Sequence, residues 1–326
     1  MKRILTGLQP SGDLTLGSLI GGIKQSIKYQ DMYDSFIFVP DLHAVTVPQD
    51  SKLLHERIRK NVALYIACGI EPEKNTIYIQ SENPYHTNLS WILECTSYMG
   101  ELSRMTQYKD KSTKYKNIPV GLFTYPILMA SDILLYSADY IPTGIDQKQH
   151  VELCRDLAIR FNNKFGETFK IPEPMIPEMG AKIMDLQDPT KKMSKSSENQ
   201  KGIIYLLDDE KTLRKKIMSA VTDSDATVLY DPVNKPGISN LLTIYASLKE
   251  ISIEEAVNHF KDYNYGSLKK EVADIVVEKL TIIQEKYNEI INSDYLDKIL
   301  DEGRNKTIEI AAYKYEEVRI KMGLGR

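Results

Sequence analysis

The first half of the chain alternates short apolar runs with segments of helical period, the pattern of a parallel α/β sheet. Residues 2–6 predict a strand ending in Gly7, and helix-spaced apolar positions run from near Leu16 to about Met32. A second strand is expected over 35–39, with Asp41 and His43 just beyond it. Asp50 is placed to cap a helix carrying Leu53, Leu54, Ile58, Val62 and Tyr65, which Gly69 stops. A strand over 76–79 follows, then helices over 87–99, 101–110 and 121–136, a strand over 139–142, and a helix from about Asp146 to Phe165. Trp91, the only tryptophan, is expected to pack beside Ile92 and Leu93. Segment 166–204, rich in Pro and Lys and without sustained period, reads as loops. From about 208 onward helical spacing takes over. Val272, Ile275, Val276, Leu280 and Ile283 form one stripe, and Ile299, Leu300, Ile308 and Ala312 extend the helical pattern. The expected fold is α/β: a Rossmann-like parallel-sheet nucleotide-binding domain over 1–204, then a helical domain over 205–326 whose closing helices have room to pack back on the first.

With 326 residues, 42% apolar and 27% charged, the composition is that of an ordinary globular protein and separates no enzyme from a binding module. Cys68, Cys95 and Cys154 lie far apart, which argues against a zinc site or a disulfide framework and fits a reducing cytoplasm. No run reaches the ~20 apolar residues of a membrane span, so no membrane association is expected. A net charge of −3 argues against wholesale duplex binding. Two basic clusters stand out locally: Arg104, Lys109, Lys111, Lys114 and Lys116, then Lys191, Lys192, Lys195 and Lys201. A solvated face accounts for either cluster alone, and a partner gripped at a few phosphates accounts for both.

Two segments carry recognisable chemistry. Gln9-Pro10-Ser11-Gly12-Asp13-Leu14-Thr15-Leu16-Gly17-Ser18 follows a strand and opens a helix. Such a junction aims free backbone N–H groups at an anion, and Gly7, Gly12 and Gly17 permit tight turns, although a plain structural turn reads equally well. Lys192-Met193-Ser194-Lys195-Ser196 sets two ammonium groups three apart among hydroxyls, a clamp suited to a polyphosphate.

Together the two segments resemble the paired signature motifs of class I aminoacyl-tRNA synthetases, with Thr15-Leu16-Gly17-Ser18 in the place of the first. Their spacing is that of the short tryptophanyl and tyrosyl branch. Residues 6–12, Gly100-Glu101-Leu102-Ser103-Arg104-Met105-Thr106-Gln107, Gly144-Ile145-Asp146-Gln147-Lys148-Gln149-His150 and Pro236-Gly237-Ile238-Ser239-Asn240 are similar to the bacterial tryptophanyl enzymes, and the likeness runs nearly from end to end.

Tyr125, Met129 and Asp132 are spaced i, i+4 and i+7 and share a helix face. A core face explains the first two; an unpaired buried Asp is costly, but suits an indole N–H. Tyrosyl enzymes resemble this region with Gln in place of Met129. The resemblance therefore implies that Asp132 reads the indole nitrogen of L-tryptophan, with Met129, Tyr125 and Gly7 shaping the pocket and Gln107 and Gln147 meeting the ammonium group. A carboxylate left unpaired by the wrong ring would reject analogues by on the order of 10⁴–10⁵.

The resemblance also implies the reaction: tryptophan and ATP give tryptophanyl-adenylate and pyrophosphate, then tryptophan passes to tRNA(Trp). Gln9, Pro10, Ser11, Gly17 and Ser18 would hold ATP at the first helix, with Gly144, Ile145 and Asp146 at the adenosine and Ile183 at the adenine face. Lys192, Met193, Ser194, Lys195 and Ser196 would line the phosphates. Lys192, Lys195, Lys111 and Gln9 form the catalytic set. Mg2+ would accompany ATP on its phosphates rather than in a protein-held metal site. The helical domain would recognise the anticodon, and the enzyme would be a homodimer. Two positions depart from the family: Ser18 stands where relatives commonly have Asn, and Leu5 where many have an aromatic residue. A tyrosyl-tRNA synthetase, a related nucleotidyltransferase and a non-catalytic amino-acid- or RNA-binding paralogue are the competing readings.

Overall fold

The computed structural model describes residues 1–8, 12–113, 115–144, 147–176, 181–194 and 199–326. Near-continuous apolar runs, as in strands buried on both faces, form the middle of a parallel sheet. Its strands are β1 (Arg3–Gly7), β2 (Asp34–Val39), β3 (Asn75–Ile79), β4 (Tyr140–Pro142) and β5 (Glu173–Met175). They lie in the order β3-β2-β1-β4-β5, with Leu5 opposite Phe36, Phe36 opposite Thr76 and Ile4 opposite Tyr140. The chain steps outward from β1 to β3, then returns to the far side of β1 with β4. That reversal opens a crevice at the carboxyl ends of β1 and β4, where ligands of open α/β sheets bind.

The helix Ser51–Ala67 begins as expected, with the Asp50 carboxylate accepting the N–H groups of Lys52 and Leu53 at 3.0 Å. The helix expected over 16–32 runs as three consecutive pieces, Leu16–Ser18, Leu19–Ile23 and Lys24–Tyr29, of which the middle one is π-helical. The helix expected over 87–99 is Tyr85–Glu94, and the one expected over 101–110 is broken into Met99–Leu102 and Thr106–Ser112, while Val120–Leu134 and Lys148–Phe165 stand as expected. Two further expectations need correction. Segment 166–204 contains β5 and an antiparallel pair between Met184 and Lys192, each too short to show a period. Pro174 is tolerated because β5 is at the sheet edge. Trp91 points outward, 68% exposed, while Ile92 and Leu93 are buried.

Alternation along the strands divides the core. Ile37 and Ile77 face one way, joining Leu16, Val62, Ile217, Leu241, Val276 and Leu280. Phe36, Phe38 and Tyr78 face the other way, with Leu93, Ile133, Leu157, Phe161 and Ala311. The helices after 208 thus continue the sheet's own core rather than build a separate one. Among the described residues, no helix is long and apolar enough to cross a membrane.

The last helix, Tyr295–Lys321, returns to the sheet and lies against β3. Lys306 donates to the Thr76 hydroxyl at 2.7 Å, and a Cβ on Gly303 would stand 1.8 Å from the Ile77 carbonyl oxygen. In an open helix interior Gly→Ala gains about 1 kcal/mol. Gly303→Ala is expected to lose about 1–3 kcal/mol instead, because helix and strand must separate. Chemical denaturation measures the sign directly; a gain in stability would show that this contact yields freely.

Candidate active site

The crevice holds a cavity of about 460 Å³, within the range of small-molecule sites. Its walls come from every element that ends there: Leu5 and Gly7 of β1, Phe38, Pro40 and His43 after β2, and the stretch Ile141–Gly144 around the end of β4. Tyr125, Met129 and Asp132 of helix Val120–Leu134 form one side, and Lys111 and Gln147 complete it. Seven expected substrate or catalytic residues thus meet here: Gly7, Lys111, Tyr125, Met129, Asp132, Gly144 and Gln147. Leu5 also lines the cavity, so one wall is aliphatic. Gln107, on helix Thr106–Ser112, is not among the lining residues.

Asp132 is wholly buried and far from unpaired. Its Oδ1 accepts from Gln80 Nε2 and His86 Nδ1, each at 2.7 Å, and its Oδ2 faces His43 Nε2 at 2.8 Å. Burial alone would raise its pKa, but the hydrogen bonds and charges of His43 and His86 outweigh burial and hold it down at about 2. The carboxylate is ionised, so both facing imidazole nitrogens carry protons. The expectation of an unpaired carboxylate is therefore corrected: three donors fill three of its roughly four acceptor positions. The remaining position is on Oδ2, beside His43, whose side chain is 20% exposed at the cavity wall.

His43, Gln80 and His86, which hold Asp132, are the residues that pattern reading missed. The signal that locates them is topological, since all three follow the carboxyl ends of β2 and β3. His43 is visible in the sequence just beyond the second strand, but nothing local gives it a role. The wall is further braced by the Tyr125 hydroxyl, 2.8 Å from His150 Nε2, and by Lys111 Nζ, 5.3 Å from the centre of the Tyr125 ring. His86 Nε2 lies 2.9 Å from the Tyr136 hydroxyl, which Asn83 also meets.

The second half of the site lies at the first helix. Gly12 has φ +73°, a left-handed turn that favours glycine. Thr15 caps the helix through the Ser18 N–H at 3.2 Å, and the Ser18 hydroxyl reaches back to the Thr15 N–H at 3.4 Å. Ser18 thus closes a capping box, a structural role for the residue that departs from the family. Over this turn folds the later segment. Leu16 N–H bonds the Ile204 carbonyl, Leu206 N–H the Leu14 carbonyl, and Met193 N–H the Ile183 carbonyl at 3.0 Å. A methyl group on Gly17 would touch both Met193 and Ile183, so residues far apart in sequence converge there. Ile183 and Met193 are buried; Lys192 and Ser194 are exposed. Gln9, Pro10, Ser11, Ile145, Asp146, Lys195 and Ser196 lie outside the described residues.

Comparison with known proteins agrees with this geometry. The family "tRNA synthetases class I (W and Y)" matches residues 1–281. The "Tryptophan--tRNA ligase" of Bacillus anthracis is 52% identical over 326 residues, covering 100% of this chain and 99% of that protein. That of Bacillus subtilis strain 168 is 51% identical over 325 residues, covering 100% and 98%. A solved tryptophanyl-tRNA synthetase from Campylobacter jejuni, complexed with ADP and tryptophan, superposes with a TM-score of 0.88 at 37% identity, covering 99% of this chain and 100% of that one. With its sheet order, its crevice and its full-length likeness to these enzymes, the chain belongs to the class I tRNA synthetases of the tryptophan and tyrosine family, on the tryptophan–tRNA ligase side.

Proposed function

We propose that the crevice binds L-tryptophan and that ATP lies beside it, between the first helix and the Lys192 segment. The activity is that of a tryptophan–tRNA ligase: tryptophan and ATP form tryptophanyl-adenylate and pyrophosphate, and tryptophan then passes to the terminal ribose of tRNA(Trp). The observation that carries the reading is Asp132, buried yet held ionised at the cavity wall. Its remaining acceptor position suits an indole N–H, and apolar Leu5, Met129 and Ile133 suit the ring. Gln147 and Gln107 are assigned to the ammonium group of the substrate and Tyr125 to the pocket wall, with Gly7 keeping the strand end clear.

The tryptophan carboxylate is already ionised at neutral pH, so its attack on the α-phosphate needs no general base. Catalysis is then positioning and charge stabilisation. Lys192 and Lys195, with Lys111, would neutralise the leaving pyrophosphate. Gln9, Pro10, Ser11 and Gly17 would hold the phosphates at the first helix, with Ser18 acting by fixing the Thr15 turn. Gly144, Ile145 and Asp146 are assigned to the ribose and Ile183 to the adenine, with Met193, Ser194 and Ser196 flanking the phosphates. Mg2+ would arrive as part of the ATP substrate, held on its phosphates. Residues 1–204 are assigned to catalysis and 205–326 to anticodon recognition, in the cytoplasm.

A homodimer is part of the same reading. Tyr98, Met99, Ile118 and Val120 are 61%, 74%, 44% and 77% exposed around one apolar groove, and Trp91 stands 68% exposed on helix Tyr85–Glu94. A patch of this kind suits a second copy of the chain.

Two measurements test these assignments. Tryptophan-dependent exchange of labelled pyrophosphate into ATP is expected from the wild type, with no exchange on tyrosine. Asp132→Asn should lower it by about tenfold to a hundredfold, the worth of one charged hydrogen bond. Exchange with tyrosine instead, or a rate untouched by the substitution, would sink the pocket assignment. In sedimentation the wild type should run as a dimer and Val120→Glu should shift it toward monomer; a wild-type monomer at micromolar concentration overturns the dimer.

A further inference from the structure

Asn240 belongs to the helix Pro236–Lys249, is 4% exposed, and lies in neither half of the site. Among the described residues, both hydrogen bonds of its amide go to one residue. Oδ1 accepts the Met184 N–H at 2.8 Å, and Nδ2 donates to the Met184 carbonyl at 2.9 Å. A primary amide carries donor and acceptor side by side, so it can replace a neighbouring strand at both groups of a single residue.

Met184 occupies a telling register. In extended chain, successive residues direct their backbone groups to opposite edges. Ile183 and Asp185 bond the segment that carries Lys192: Met193 N–H reaches the Ile183 carbonyl at 3.0 Å, and Asp185 N–H the Lys191 carbonyl at 2.9 Å. Met184 stands directly opposite Lys192 and turns its own groups outward, to Asn240. The helix bearing Asn240 is itself tied down. Lys235, at its N-cap, pairs with Asp223 at 3.1 Å and Asp225 at 2.7 Å, and the Ser239 hydroxyl accepts the Asp231 N–H at 2.8 Å.

We infer that Asn240 is a positioning residue for the ATP half of the reaction, acting as a one-residue third strand that sets, through Met184, where Lys192 stands relative to the first helix. The inference rests on the reading of the Lys192 segment as the ATP clamp. The clamp then hangs from the helical region rather than from the sheet. The tryptophan pocket, built on the carboxyl ends of β1, β2 and β4, shares no lining residue with this link. Loss of Asn240 should therefore affect ATP and leave tryptophan alone, a split that a general loss of structure does not produce.

Pyrophosphate exchange against ATP concentration tests this in the full-length protein, with Asn240→Ala, Asn240→Ser and Lys192→Ala beside the wild type. Tryptophan affinity without ATP, from equilibrium dialysis, and thermal unfolding are read on the same samples. Asn240→Ala is expected to raise the ATP KM or lower kcat by about tenfold or more, since small misplacements of reacting groups are costly. Its tryptophan affinity should match the wild type. Asn240→Ser, whose shorter hydroxyl stops one bond short of both Met184 groups, should behave as Asn240→Ala does. Wild-type constants in folded Asn240→Ala, with Lys192→Ala crippled, overturn the inference and leave the proposed function standing. Wild-type constants in Lys192→Ala overturn both. Tryptophan affinity falling in parallel with exchange, or loss of the folded state in both Asn240 variants, also overturns it, in favour of a purely structural clamp.

Discussion

A carboxylate sealed from water must find its donors inside the protein, and the donors found by Asp132 tie the catalytic half together. His43 comes from the turn after β2, Gln80 from the turn after β3, and His86 from the helix that follows. Only a parallel sheet delivers two consecutive strand ends to one side, where a single helix can set a carboxylate between them. The arrangement continues outward: Gln80 accepts the Leu42 N–H, Asp41 accepts the Ser81 N–H, and Ser131 donates to the His86 carbonyl. Removing any one donor leaves charge buried without its partner, so the network constrains strand ends, helix placement and pocket wall together.

The two halves of the site are built on different physics. The pocket is walled by side chains and fixed by charge. The nucleotide side is an assembly of backbone: a capped turn at Thr15, short antiparallel pairings at 14–16 with 204–206 and at 183–185 with 191–193, and an asparagine standing in for a strand. Few of these contacts are long, and each depends on another segment for its place. On the proposed reading, such a construction suits a part that receives a triphosphate and releases pyrophosphate, whereas the pocket would only have to admit one ring.

What sequence could and could not reveal follows from contact range. Helix 51–67 was legible because its cap, Asp50, and its stop, Gly69, lie in the pattern itself. β1 to β3 were legible because strands buried on both faces read as apolar runs. Tyr125, Met129 and Asp132 were legible because helical spacing alone puts them on one face. The partners of Asp132 were not: they stand 89, 52 and 46 residues away, and nothing local distinguishes a ligand-facing His43 from a structural one. β5 escaped because three residues, one of them proline, carry no period. The capping role of Ser18 was not legible, because Thr15 and Ser18 belong to the motif itself and only their folded geometry shows the reciprocal bonds. Asn240 sat in a segment similar to the family with no role attached, because its function is a contact with a backbone rather than with a ligand.

The pairing of Asp132 before any substrate binds changes how selectivity must arise. An unpaired carboxylate would punish every ring without an N–H, but it would also cost the free protein several kcal/mol of buried charge. This chain avoids that cost, since His43, Gln80 and His86 keep the carboxylate satisfied throughout. In the proposed complex an indole N–H would add one charged hydrogen bond, about 1.5–3 kcal/mol, instead of rescuing an orphan. That is roughly ten- to a hundredfold against phenylalanine, short of the 10⁴–10⁵ available to a site left unpaired. The balance of the discrimination falls to shape, on Leu5, Met129, Ile133 and Ile141 around the cavity. Leu5 then matters more than its chemistry suggests: where an aromatic wall would stack on an indole, an aliphatic one selects by volume alone.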